Sequence, residues 1–96
     1  MATFIALVNF TDQGIKNVKD SPDRLNTFRA SAEKAGLTVK SVHYTLGKHD
    51  MVLVVDGSEE AYMTVSLKLG SLGNVRTQSL RAFSPDDFKK FVGKMA

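Results

Sequence analysis

T-L-G-K-H-D-M, Thr45 to Met51, interrupts two apolar-rich runs in the middle of a chain of 96 residues, and its reading decides the fold. Gly47-Lys48 puts glycine first, the pattern of a two-residue type II′ hairpin turn. A chain that doubles back there sets Leu46 opposite His49, Thr45 opposite Asp50, Tyr44 opposite Met51 and His43 opposite Val52. Val39–Leu46 and Met51–Val55 then become the arms of an antiparallel hairpin. Adjacent residues of a strand point to opposite faces, so His49 and Asp50 do not form a catalytic dyad. The register instead gathers Ser41, His43, Thr45 and Asp50 on one face with Val52 and Val54. On that face His43 lies diagonal to Asp50, about 7–8 Å away, within reach of long side chains. The opposite face takes Val42, Tyr44, Leu46, His49, Met51 and Leu53 and suits packing under helices. A three-residue turn, Gly47-Lys48-His49, changes the register and parts His43 from Asp50.

Outward from the hairpin, three helix starts share one chemistry, a serine cap followed by acids at the positive end of the helix dipole. They are Ser21-Pro22-Asp23, Ser58-Glu59-Glu60 and Ser84-Pro85-Asp86-Asp87. Leu25, Phe28, Arg29, Ala32 and Ala35 give the first helix its helical spacing, and Gly36 ends it. Tyr62, Val65, Leu69 and Leu72 form the second stripe. Phe88, Phe91, Val92 and Met95 form the third, which predicts a C-terminal helix docked on the core. Two more strands, Thr3–Phe10 and Val75–Phe83, complete the order strand, helix, strand, strand, helix, strand, helix. That is the α+β, ferredoxin-like βαββαβ plan, a four-stranded antiparallel sheet with an extra C-terminal helix. Thr3–Phe10 and Met51–Val55 are apolar on both faces, as central strands covered on both sides are. Two helices cover one face, so a second copy of the sheet is expected on the other, making a homodimer.

The length fits a single domain over residues 1–96, and a monomer of this size buries only about 60–65% of its unfolded surface. The absence of cysteine excludes disulfides, thiolate zinc sites and a thiol nucleophile, and fits a cytoplasmic protein. The opening A-T-F-I-A-L-V-N-F lacks a preceding basic residue and is too short to span a bilayer, so it reads as a strand and no membrane association is expected. A net charge of +3 is scattered among acids without a basic face or interleaved aromatics, which argues against nucleic acid.

No metal site is expected, since His43 and His49 have no partners at zinc-ligand spacing. Leu69–Arg76, L-G-S-L-G-N-V-R, follows a helix and precedes a strand, the reverse of a phosphate loop, and reads as a helix C-cap and turn. No Gly-x-Ser-x-Gly marks a serine nucleophile. The candidate site is therefore His43 as general base with Asp50 orienting it, and Ser41, Thr45 and the anion-binding Arg81 as ligand contacts. No cofactor is expected.

L-V-N-F-T-D-Q-G-I-K-N-V-K-D-S-P (Leu7–Pro22), T-L-G-K-H-D (Thr45–Asp50), L-G-S-L-G-N-V-R-T (Leu69–Thr77) and L-R-A-F (Leu80–Phe83) closely resemble the GYD-domain proteins, small bacterial and archaeal proteins. The Gly-Tyr-Asp signature of that family, usually with one residue between Gly and Tyr, matches Gly47, His49 and Asp50, with histidine in the tyrosine position. The departure argues against an essential phenol and equally against His49 as a catalytic base, leaving it as the corner of the hairpin. The resemblance implies the dimeric α/β-barrel superfamily, which holds cofactor-independent monooxygenases, isomerases, haem enzymes and effector-binding domains, so fold alone does not choose a function. Three readings follow: a binding protein with a small organic molecule in its barrel, a small cofactor-independent enzyme using His43 and Asp50, and a structural or assembly protein.

Overall fold

The computed structural model describes residues 1–95. Four strands, β1 (Ala2–Phe10), β2 (Thr38–Tyr44), β3 (Met51–Gly57) and β4 (Val75–Ala82), form one antiparallel sheet in the order β2-β3-β1-β4. The two strands that are apolar on both faces are the central ones. Phe4, Ala6 and Val8 of β1 and Met51, Leu53 and Val55 of β3 are buried under helices α2 (Ser21–Lys34) and α3 (Glu59–Ser71). Ile5, Leu7, Val52 and Val54 lie on the helix-free face, half-buried. The fold is the expected α+β, ferredoxin-like one, with the extra C-terminal helix present as α4 (Pro85–Gly93).

Local chemistry explains most of the boundaries. The Ser58 hydroxyl accepts from the Ala61 N–H, and Ser84 with Asp87 closes a reciprocal capping box. α2 ends where Gly36 turns to φ +90°, with the Leu37 N–H on the Ala32 carbonyl and the Gly36 N–H on the Glu33 carbonyl, a Schellman closure. The start of α2 differs from expectation. A 3₁₀ turn over Val18–Asp20 feeds straight into the helix, so Ser21 already has helical dihedrals. Freed from capping, the buried Ser21 hydroxyl shares a 2.9 Å hydrogen bond with Tyr44.

The sequence reading also missed α1 (Asp12–Lys16), whose first turn is capped by the Thr11 side chain. This turn is clasped to the α3–β4 connection. The Thr11 hydroxyl donates to the Gly73 carbonyl, the Thr11 N–H to the Asn74 carbonyl, and the Gln13 amide to Leu72 and Asn74. Two of the segments that carry the family resemblance therefore grip each other. Gly14 makes the closeness possible, since a Cβ there would sit 1.9 Å from the Asn74 oxygen.

Two further differences matter. β2 and β3 pair as expected at Tyr44↔Met51 and His43↔Val52, and the Thr45 N–H still donates to the Asp50 carbonyl at 2.8 Å, but residues 46–49 form a four-residue loop rather than a two-residue turn. The Thr45 hydroxyl, donating to the His49 carbonyl at 2.5 Å, closes it, and Leu46 projects fully into solvent instead of packing under helices. The stripe of α4 is also not buried by its own chain. Phe88, Phe91 and Val92 are 64%, 47% and 49% exposed, with Phe91 packed edge-on against Phe83. Only Phe83 and Ser84 link β4 to α4, too short a connection to carry the helix back over the sheet.

Candidate functional site

α2 packs against the β2 side of the sheet and α3 against the β4 side, and a gap opens between parts of the two helices above the central strands. The gap is an apolar cleft of about 430 Å³. Val8, Met51, Leu53 and Val75 make its floor, Leu25 and Phe28 of α2 one wall, and Val65, Leu69 and Leu72 the other. Leu72, at the C-cap of α3, is 59% exposed and lines this gap, whereas Tyr62 and Val65 of its stripe are buried. Polar groups gather along the α2 side and the ends: Asp20, Ser21, Asp23, Arg24, Lys68 and Asn74. Ligand pockets are commonly a few hundred Å³, mostly apolar, with a few placed polar groups.

One polar atom of the lining is out of balance. Arg24 Nη1 donates to the Asn17 carbonyl at 3.0 Å, whereas Nη2 is shut off from solvent without a hydrogen-bond partner. Among the described residues no carboxylate lies within ion-pairing distance of it, although Asp20 and Asp23 are close in sequence; Lys40 and Asp56 do pair, at 3.5 Å.

The residues singled out from sequence lie elsewhere. Ser41 and His43, opposite Val54 and Val52, stand on the helix-free face, and His43 is exposed. Thr45 is an exposed loop residue held by its bonds to His49 and Asp50. The Asp50 N–H donates to the Val8 carbonyl, and its carboxylate accepts the Phe10 N–H, both at 2.8 Å. That carboxylate ties the loop to β1, and no hydrogen bond joins it to His43 among the described residues. Arg81, opposite Phe4, is at the other end of β1 from the cleft floor. Its guanidinium lies 4.5 Å from the Phe83 ring centroid and 5.7 Å from that of Phe4, and donates to the Ala82 carbonyl. The structure thus separates the five positions into a sheet face, a loop and an aromatic stack.

His49 makes a contact that alternation alone did not give. Its Nδ1 is 2.8 Å from Asn9 Oδ1, while Asn9 Nδ2 donates to the Lys48 carbonyl at 2.6 Å, so the signature loop is stitched to β1 through Asn9. Among the described residues no three His, Asp or Glu side chains converge as metal ligands would, and no helix is long and apolar enough to cross a membrane. Asp56 lies on the helix-free face. The Thr3 hydroxyl, donating to it at 2.7 Å, and nearby Lys40 hold its carboxyl below the usual aspartate value, against a smaller opposing effect of burial.

A four-stranded sheet under two splayed helices, with a cleft between them and a signature loop bound to the central strand, defines a small ferredoxin-like α+β protein. The chain belongs to the GYD domain family, whose model matches residues 4–92. It is also 33% identical over 89 residues to a protein of Thermus thermophilus named "Glutamine synthetase and cystathionine beta-lyase binding protein", an alignment covering 91% of this chain and 94% of that relative.

Proposed function

We propose that this protein is a binding protein that takes a small organic molecule into the cleft between α2 and α3. The cleft itself carries the reading: an apolar cavity of about 430 Å³ over the central strands, floored by buried core side chains and walled by the half-buried Leu25, Phe28 and Leu69. A homodimer through the helix-free face fits this arrangement, because it leaves the cleft side free. Chemistry by His43 and Asp50 has less support, since Asp50 is engaged by the Phe10 N–H and neither residue lines the cleft. Native mass spectrometry of protein from its own source tests the proposal. A retained small molecule that disappears when Val65→Trp fills the cleft supports it. The same molecule retained by a folded Val65→Trp protein would place binding elsewhere.

A second reading is the docking of a larger protein, favoured by the uncovered apolar stripe of α4 and by the name of the Thermus thermophilus relative. Mixing the protein with purified glutamine synthetase from the same source and following co-elution tests it. Co-elution that Phe91→Glu abolishes supports a role for α4, and separate elution at micromolar concentrations of both counts against this reading.

A further inference from the structure

We infer that the ligand of the α2–α3 cleft is a monocarboxylate with an apolar body, its head group paired with Arg24. This rests on the cleft being the binding site and adds the class of molecule. Arg24 lines the cleft and is held there by the bond from Nη1 to the Asn17 carbonyl. Its Nη2 is buried with its donors unused. A guanidinium N–H removed from water without an acceptor is unfavourable, and folded proteins rarely leave one so. An acceptor brought by a ligand completes the group once the guanidinium turns from the Asn17 carbonyl toward the cleft that Arg24 lines. Within the chain no carboxylate is close enough to do so among the described residues.

The surroundings narrow the acceptor to one of low charge. Arg24 is in the first turns of α2, where the helix dipole adds to its positive charge. Asp20 and Asp23 also line this part of the cleft and repel a second negative charge, which disfavours a phosphate monoester relative to a carboxylate. Leu25, Phe28, Val65 and Leu69 leave only an apolar surface for the remainder of the molecule.

The test compares octanoate, octanol and octyl phosphate by calorimetry on the unaltered protein and on Arg24→Gln, with melting curves to confirm that the variant folds. A charge-assisted hydrogen bond predicts octanoate binding on the order of tenfold tighter than octanol, and tighter than octyl phosphate. In Arg24→Gln the octanoate advantage should disappear while octanol binding is kept. Equal binding of octanoate and octanol to the unaltered protein overturns the carboxylate assignment and leaves the cleft as a binding site, whatever Arg24→Gln does. A preference for octyl phosphate also overturns it. Binding of none of the three overturns the cleft reading and the assignment with it.

Discussion

Asn9 on the central strand β1 and His49 in the β2–β3 loop are joined Oδ1 to Nδ1 at 2.8 Å, and the Asn9 amide returns a bond to the Lys48 carbonyl. A loop that lacks a tight turn of its own is thus fixed from outside. Asn9→Ala removes both bonds and is expected to cost about 1–2 kcal/mol. His49→Tyr, which restores the family signature, keeps the Asn9–Lys48 bond and should cost less than about 1 kcal/mol. Urea unfolding of the two variants checks the order, and an Asn9→Ala protein as stable as the parent would show the stitch to be idle.

The clasp between α1 and the α3–β4 turn makes a second expectation. A Cβ on Gly14 would meet the Asn74 carbonyl oxygen at 1.9 Å and its carbon at 2.9 Å, both of them backbone atoms. Gly14→Ala must force the two turns apart, at about 2–3 kcal/mol. Gly36→Ala meets no atom within 4 Å, and only the left-handed backbone at φ +90° opposes it, about 1–2 kcal/mol. Thermal melts should therefore rank Gly14→Ala as the more damaging.

Asp56 gives a pH dependence whose sign is fixed. Its folded pKa lies below the unfolded value of about 3.9, so the stabilisation is present above the unfolded pKa and is lost as pH falls through the folded one. The Thr3 hydroxyl is the main cause. Thr3→Val should accordingly be less stable than the parent at pH 7, and the difference should narrow on acidification below about pH 4. A gap that stays constant between neutral and acidic pH would exclude the Thr3–Asp56 bond as its source.

Ile5, Leu7, Val52 and Val54 share the helix-free face of the sheet, and a self-complementary pairing of two such faces is the expected cover. Sedimentation should show a dimer at micromolar concentration. Val54→Glu should shift it to monomer while strand content by circular dichroism persists. A parent protein that sediments as a monomer would exclude this arrangement.

The sheet was readable in the sequence because burial writes itself as alternation. Phe4, Ala6 and Val8 on one face and Ile5 and Leu7 on the other place β1 at the centre, where it is. Ser58, Ser84 and Gly36 mark helix ends through local bonds, and local bonds need no knowledge of tertiary structure. Ser21 could not be read that way, since a 3₁₀ turn decided the helix start and Tyr44, 23 residues away, took its hydroxyl. The cleft is less legible still. It arises from the placement of α2 over β2 and α3 over β4, and Leu69 and Leu72 have the same spacing whether they face a core or a cavity. Arg24 would have been visible only as a cation in an acidic first turn, a weak signal without the cavity beside it.

The irregularity in β2 has a consequence for how copies of the chain can meet. Pairing slips between Val39 and Ser41, so that Lys40 is extra and both Val39 and Val42 stand opposite apolar partners, Val55 and Leu53. β2 is an outer strand, and such a kink, with a cation on it, spoils the straight row of amides and carbonyls that another strand would need. The other outer strand, β4, carries exposed Arg76 and Gln78 along its length. Growth of the sheet into ribbons or amyloid-like polymers is thereby discouraged at both margins, and deleting Lys40, which removes the extra residue of β2, is expected to leave a straighter edge more prone to fibres.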